Sequence, residues 1–316
     1  MSNSNIAFVF PGQGSQKVGM LAAAYQQFAV VRETFAEASD VLGYDMWDLV
    51  QNADQDALNL TTTTQPVLLS ASVALWRAWV SVGGPQPLVM SGHSLGEFSA
   101  LVCAGSIAFR DGVTLVEKRG EFMQEAVPVG VGAMAAIIGL DDDAINLICE
   151  ETSAADEGVV AAVNFNSPGQ VVIAGHTGSV AIAIEALKKA GAKRALRLPV
   201  SAPFHTELMK PAGERLAEVI SGVAISTPLI PIIHNVHARI EAGPVNIAAT
   251  LVDQISSPVQ WTGCVQAMVD RGAERFVECG PGKVLNGLVR RIDKSLQCFS
   301  VEEPDALGAA LAELQV

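Results

Sequence analysis

Ser94 sits at the centre of Gly92-His93-Ser94-Leu95-Gly96. The short apolar run Leu88-Val89-Met90 leads into it, and the helical pattern Glu97 to Ala104 leads out. A G-x-S-x-G turn between strand and helix exposes a serine hydroxyl at a sharp elbow, the setting of a nucleophile in acyl transfer. Glycines flank such a turn because its backbone is strained and neighbouring chain passes close by. The helix that follows aims its free N–H groups and positive dipole end at whatever the serine attacks.

A serine hydroxyl needs a base. The histidines are His93, His176, His205, His234 and His237. His93 lies inside the elbow and is poorly placed to point back at its neighbour. His176 follows a strand-like segment and reads as a turn residue. His234 and His237 fall on an expected strand, where positions i and i+3 face opposite ways, which argues against a metal pair. By elimination His205, in Val200-Ser201-Ala202-Pro203-Phe204-His205, is the candidate base. Arg119 lies on the helical stretch Leu115 to Phe122. From the residues alone it either pairs with Glu117 or Glu121 or serves a substrate.

Around these residues the chain alternates strand and helix, as in a parallel α/β sheet. Ile6 to Phe10 reads as a strand, Gln65 to Val82 as a helix, and the strand before Ser94 comes next. From Gly132 to Val200 the style changes to β-α-β-β-α-β, a ferredoxin-like unit. This gives a core of residues 1–130 and 201–316 with a subdomain of residues 131–200 inserted into it. After Pro203, Pro228 to Val236 reads as a strand, Pro258 to Asp270 as a helix, and Arg275 to Cys279 as a strand.

Composition narrows the classes. Half of the 316 residues are hydrophobic and 17% are charged, which suits a sheet buried on both faces. The longest apolar stretch, Val127 to Leu140, is broken by Pro128 and three glycines and is too short to span a bilayer. The N-terminal Met1-Ser2-Asn3-Ser4-Asn5 lacks a basic n-region, so the expected address is cytoplasmic. Five scattered cysteines without a C-x-x-C pair read as reduced thiols rather than a zinc site. A net charge of −13 argues against nucleic acid as a partner. Lys188-Lys189, Lys193-Arg194 and Arg290-Arg291 with Lys294 are local basic clusters that suit either an acidic partner or solvent. Three glycine patterns fail as nucleotide loops. Gly12-Gln13-Gly14 has Lys17 at its third glycine position, Gly130-Val131-Gly132 precedes a strand, and Gly282-Lys283 is followed by Val284 instead of a hydroxyl residue.

Over nearly its whole length the chain resembles the malonyl-CoA:acyl carrier protein transacylases of bacterial fatty-acid synthesis. The resemblance rests on Phe10-Pro11-Gly12-Gln13-Gly14-Ser15-Gln16, Gly92 to Glu97, Arg119-Gly120 with Phe122-Met123-Gln124, and Asn164 to Gln170. Phe204-His205, Pro258-Val259-Gln260-Trp261 and Gly280-Pro281-Gly282 complete it, in the family's order. It implies an α/β-hydrolase-like core with a ferredoxin-like insert. It implies that Ser94 carries a malonyl ester, that His205 is the base, and that the main-chain carbonyl of Gln260 orients that histidine. Backbone N–H groups of Leu95 and Gln13 would form the oxyanion hole, and Arg119 would clasp the malonyl carboxylate. Asn166 would line the cleft, and Phe204 would narrow it against an α-methyl branch.

The implied reaction moves malonyl from malonyl-CoA to the pantetheine thiol of holo-acyl carrier protein, by a ping-pong course through the acyl-serine. No metal or bound cofactor is expected, and a monomer is the expected state. A methylene more or less changes binding by roughly 1–3 kcal/mol. An acyl group without the carboxylate leaves a buried guanidinium unpaired, at a cost of about 3–5 kcal/mol. Exclusion of acetyl should therefore outweigh discrimination by size. The alternatives are a trans-acting polyketide acyltransferase and a serine esterase or thioesterase on the same core; Arg119 counts against the hydrolase.

Overall fold

The computed structural model describes residues 5–155, 158–200, 202–241 and 243–315. Residues 1–4, on which the expected cytoplasmic address rests, and residue 201, the first of the expected second core segment, lie outside them. Among the described residues the strands are β1 (Ile6–Phe10), β2 (Val89–Gly92), β3 (Gly132–Ile138), β4 (Val160–Ser167) and β5 (Gln170–His176). They continue with β6 (Arg194–Arg197), β7 (Ile232–Ile233), β8 (Arg275–Glu278) and β9 (Gln297–Ser300).

β7-β2-β1-β8-β9 form one sheet, in that order, with all pairs parallel. All five residues of β1 are buried because helices cover both faces. On one side Phe8 meets Trp76 and Trp79 of the helix Thr61–Ser81 edge-on, with ring centroids 5.2 and 5.4 Å away. On the other, Ala7, Val9 and Phe276 pack with Trp261, Val265 and Met268 of the helix Trp261–Asp270. The register pairs Phe10 with Gly92 and Val9 with Glu278, so the loops after β1, β2 and β8 gather at one edge. In an open parallel sheet this carboxyl edge is where ligands bind.

The second sheet, order β4-β5-β3-β6, is antiparallel. Its helices Asp142–Ala155 and Thr177–Lys189 bury Ile145, Cys149, Val180 and Leu187 in a core of their own. Backbone hydrogen bonds join it to the large sheet unit: Phe165 N–H donates to the Val259 carbonyl at 3.0 Å, and Val259 N–H to that of Val163 at 2.8 Å.

Three expectations need correcting. The strand read over Pro228 to Val236 shrinks to β7, since Pro228 and Pro231 remove backbone donors and residues 234–239 turn. His234 and His237 thus sit on a turn rather than a strand. The helix read from Gln65 begins at Thr61, because burial of Thr61 and Thr64 overrides their weak helix propensity. The helix Pro244–Gln254, with proline at its start, was not foreseen.

Candidate active site

Ser94 adopts φ 51°, ψ −109°, in the strained region that marks a nucleophile elbow. Packing explains the glycines around it. A Cβ on Gly92 would stand 1.8 Å from the Gly96 carbonyl carbon, and one on Gly96 2.0 Å from the Phe10 carbonyl oxygen. Gly12 is under the same constraint, with its notional Cβ 2.5 Å from the His93 carbonyl oxygen. The elbow and the loop after β1 therefore touch backbone to backbone.

His205 reaches this elbow from the loop after β6. Its Nε2 lies 2.8 Å from Ser94 Oγ, and its Nδ1 donates to the main-chain carbonyl of Gln254 at 2.9 Å. A carbonyl only accepts, so Nδ1 carries the hydrogen and Nε2 presents its lone pair to the serine. The orienting carbonyl is not that of Gln260. Gln260 opens the helix Trp261–Asp270, and its carbonyl accepts the Cys264 N–H at 2.8 Å. Burial, then the positive charge of Arg119, pull the imidazole's pKa down to about 3, so it stays neutral at physiological pH.

Arg119 is buried at 1% exposure and pairs with neither glutamate of its own helix; Glu121 binds Lys118 at 2.8 Å instead. Its Nη1 donates to Gln65 Oε1 at 2.8 Å. Its Nη2 donates to Gln254 Oε1 at 2.9 Å and to Ser94 Oγ at 3.0 Å. Nε has no partner among the described residues. Desolvation lowers the guanidinium's pKa to about 10, with Glu97 opposing the shift, so it remains a cation at neutral pH. A buried cation held only by neutral oxygens calls for an anion.

Glu97 is fully buried and accepts hydrogen bonds from the Asn235 N–H at 2.9 Å and Gln254 Nε2 at 2.9 Å. Its other oxygen lies 2.7 Å from His234 Nδ1. Gln254 therefore links four groups: its carbonyl holds His205, its Oε1 holds Arg119, and its Nε2 serves both Glu97 and the Ser94 carbonyl at 3.1 Å. Sequence reasoning missed Gln254, Gln65 and Asn235. The only signal in the chain is a polar residue amid apolar helical neighbours, as at Gln65 in Thr64-Gln65-Pro66-Val67-Leu68.

A cleft of about 120 Å³ opens over Ser94, with Gln13, Leu95, Arg119, Phe204 and His205 in its wall. Neither the Leu95 nor the Gln13 N–H meets an acceptor among the described residues. Asn166 does not line the cleft; Asn164 does. The Asn166 side-chain Oδ1 lies 2.8 Å from His93 Nε2, so the His93 ring is engaged there and not with Ser94. A neighbouring recess of about 220 Å³ shares Gln13, Val200 and Phe204 with the cleft and leads out past Asp56 and Asn59. Among the described residues no cluster of His, Cys, Asp and Glu could hold a metal ion, and no helix is long and apolar enough to cross a membrane.

The arrangement can form and resolve an ester on Ser94. Among known proteins, a model of the acyl transferase domain matches residues 7–304. The malonyl CoA-acyl carrier protein transacylase of Salmonella typhimurium is 55% identical over 310 residues, 98% of this chain and 100% of its own. The crystal structure of an acyl carrier protein S-malonyltransferase from Vibrio cholerae superimposes with a TM-score of 0.95 at 55% identity, covering 97% of this chain and 100% of that one. A malonyl-transacylase solved in complex with a type II PKS acyl-carrier protein gives a TM-score of 0.96 at 52% identity, covering 98% of this chain and 99% of that one. With the nucleophile, the imidazole and a matching fold in one chain, this protein belongs to the acyltransferase family of malonyl CoA-acyl carrier protein transacylases.

Proposed function

We propose that this enzyme transfers malonyl from malonyl-CoA to the pantetheine thiol of holo-acyl carrier protein, supplying the extender unit for fatty-acid synthesis. One observation carries the choice of acyl group: the buried Arg119 guanidinium sits 3.0 Å from the nucleophile with no carboxylate in hydrogen-bonding contact. An esterase for neutral substrates has no use for that charge. We read residues 131–200 as a ferredoxin-like insert in an α/β-hydrolase-like core, the cleft lying between them.

Ser94 Oγ attacks the thioester carbonyl as its proton passes to His205 Nε2. The oxyanion that forms is received by the Leu95 and Gln13 N–H groups, a preorganised electrostatic term. The C–S bond then breaks, His205 returns the proton to the leaving thiolate, and malonyl remains on Ser94. The carrier's thiol gives its proton to His205 and attacks the ester, and Ser94 Oγ recovers the proton as it leaves. The pantetheine arm enters by the recess past Asp56 and Asn59. The step needs no metal or organic cofactor. When the malonyl carboxylate meets Arg119 it offsets the charge that depresses His205, so a diacid substrate makes the base stronger on arrival.

Incubation with labelled malonyl-CoA, digestion and peptide mapping should place the label on the peptide that holds Ser94, and holo-carrier protein should discharge it. Label that fails to appear there, or that is lost to water as fast as to carrier, overturns the reading.

A further inference from the structure

β7 pairs with β2 only through Met90–Ile232 and Ser91–Ile233, after which its chain turns away. The elbow's next ladder groups, the Gly92 carbonyl and the Ser94 N–H, would then be buried without a strand partner. The Asn235 side chain stands in that place. Its Nδ2 donates to the Gly92 carbonyl at 2.7 Å, and its Oδ1 accepts the Ser94 N–H at 2.7 Å. A carboxamide carries one donor end and one acceptor end, the pairing that these two backbone groups require.

Asn235 is itself fixed on every side. It is fully buried, its N–H donates to Glu97 Oε2 at 2.9 Å, its carbonyl accepts the Gln260 N–H at 3.0 Å, and Nδ2 lies 3.9 Å from Cys264 Sγ. The other side of the nucleophile has separate support, because the Ser94 carbonyl is held by Gln254 Nε2 at 3.1 Å and by the Glu97 N–H at 3.0 Å. Asn235 thus holds both peptide planes that lead into Ser94: the Gly92–His93 plane by its carbonyl, and the His93–Ser94 plane, whose carbonyl accepts the Gly96 N–H at 2.9 Å, by its N–H. The second plane leads into the positive φ of 51°, a conformation that persists only where the surroundings over-determine it.

We propose that Asn235 is a positioning residue for acyl transfer: by bridging the Gly92 carbonyl and the Ser94 N–H it holds the nucleophile in its attacking conformation. It touches no substrate and acts through Ser94 and the Leu95 N–H that follows. The proposal rests on the transacylase reading above. Arg119 and Phe204 stand on other elements, so donor binding is spared.

The test compares native enzyme, N235A and N235D in single-turnover loading of Ser94 from labelled malonyl-CoA, with folded fraction followed by circular dichroism. N235A should load about 10–100-fold more slowly, the order expected for a misplaced reacting group, while half-saturation by malonyl-CoA stays within about threefold of native. An unchanged loading rate, or half-saturation rising in step with the lost rate, overturns the proposal. N235D keeps the shape and supplies a second reading if N235A fails to fold. Protonated, its carboxyl both donates to Gly92 and accepts from Ser94; ionised, it cannot donate. The titratable groups around it are Glu97 from the helix Leu95–Cys103, His234 from the turn and Cys264 from the helix Trp261–Asp270, while the His93 ring of the elbow is engaged by Asn166 and Trp261. Arg119 and His205 titrate in both enzymes and cancel in a ratio. The native-to-N235D ratio of loading rates should widen by about tenfold as pH rises; a ratio flat with pH overturns the proposal. Failure of native enzyme to load malonyl would refute the transacylase reading instead.

Discussion

The two strands that flank β1 in the large sheet, β2 and β8, end in glycine-bearing turns that start helices, and they do opposite things with the helix N-terminus. After β8 the chain runs through Gly280-Pro281-Gly282 into the helix Val284–Ile292, and the buried Glu278 carboxylate accepts the Leu285 and Asn286 N–H groups at 3.0 and 2.8 Å. That end is closed by the protein's own anion. After β2 the chain runs through the elbow into the helix Leu95–Cys103, and Glu97 is turned away from the N-terminus toward His234, Asn235 and Gln254. The Leu95 N–H meets no acceptor among the described residues, as the proposed oxyanion role requires. A strand–glycine–helix junction becomes a reactive site when its own carboxylates look elsewhere.

The hardest way to break the contrast is at the open end. S94A should lower malonyl transfer on the order of 10⁴-fold or more and abolish the labelled acyl-enzyme, measured by single-turnover loading. R119A should lower kcat/KM for malonyl-CoA by roughly 150- to 4,000-fold, the equivalent of about 3–5 kcal/mol, while acetyl-CoA gains relative to malonyl-CoA. The same variant sharpens the electrostatic picture. Arg119 holds the His205 pKa down, so its removal lets that value rise, and the acid limb of the kcat/KM profile should move to higher pH. F204A should raise the methylmalonyl-to-malonyl ratio by about tenfold, within the range of a one-carbon discrimination; an unchanged ratio in donor profiling removes Phe204 from the selectivity argument.

The closed end should leave transfer untouched and show itself in stability. Burial raises Glu278 from 4.5 to about 7 despite the opposing N–H groups. Between those values the folded state binds the extra proton, so the contribution is full below pH 4.5 and is lost as pH rises through about 7. Relative to E278Q, the native enzyme should lose on the order of 2–3 kcal/mol across that window, read from denaturant midpoints at each pH.

What the sequence made readable was chemistry carried by short motifs. Ser94 was visible because strain demands glycines at fixed offsets, and the close approaches at Gly92 and Gly96 supply the reason. His205 emerged because few imidazoles were available. The orienting carbonyl was misassigned to Gln260 because every residue owns a carbonyl, so only the course of the chain decides which one arrives. Gln254 ends a helix that the reading did not foresee, and its position could not be inferred without it. The strand expected over Pro228 to Val236 failed for a local reason, the two prolines, and Asn235 gained its role from that failure.

At Gly12, Gly92 and Gly96 the backbone of His93, Gly96 and Phe10 comes so close that no side chain fits at any of the three glycines. Diversifying these positions to broaden the acyl repertoire would jam two loops together before it reshaped the cavity. Altered donors are better sought from the cleft's far walls, at Met123, Met134, Leu198, Val200 and Phe204, where side chains and not main chain define the space. The molecule thus separates a rigid reactive seam from a replaceable lining, and new specificities can be grafted onto the second without retooling the first.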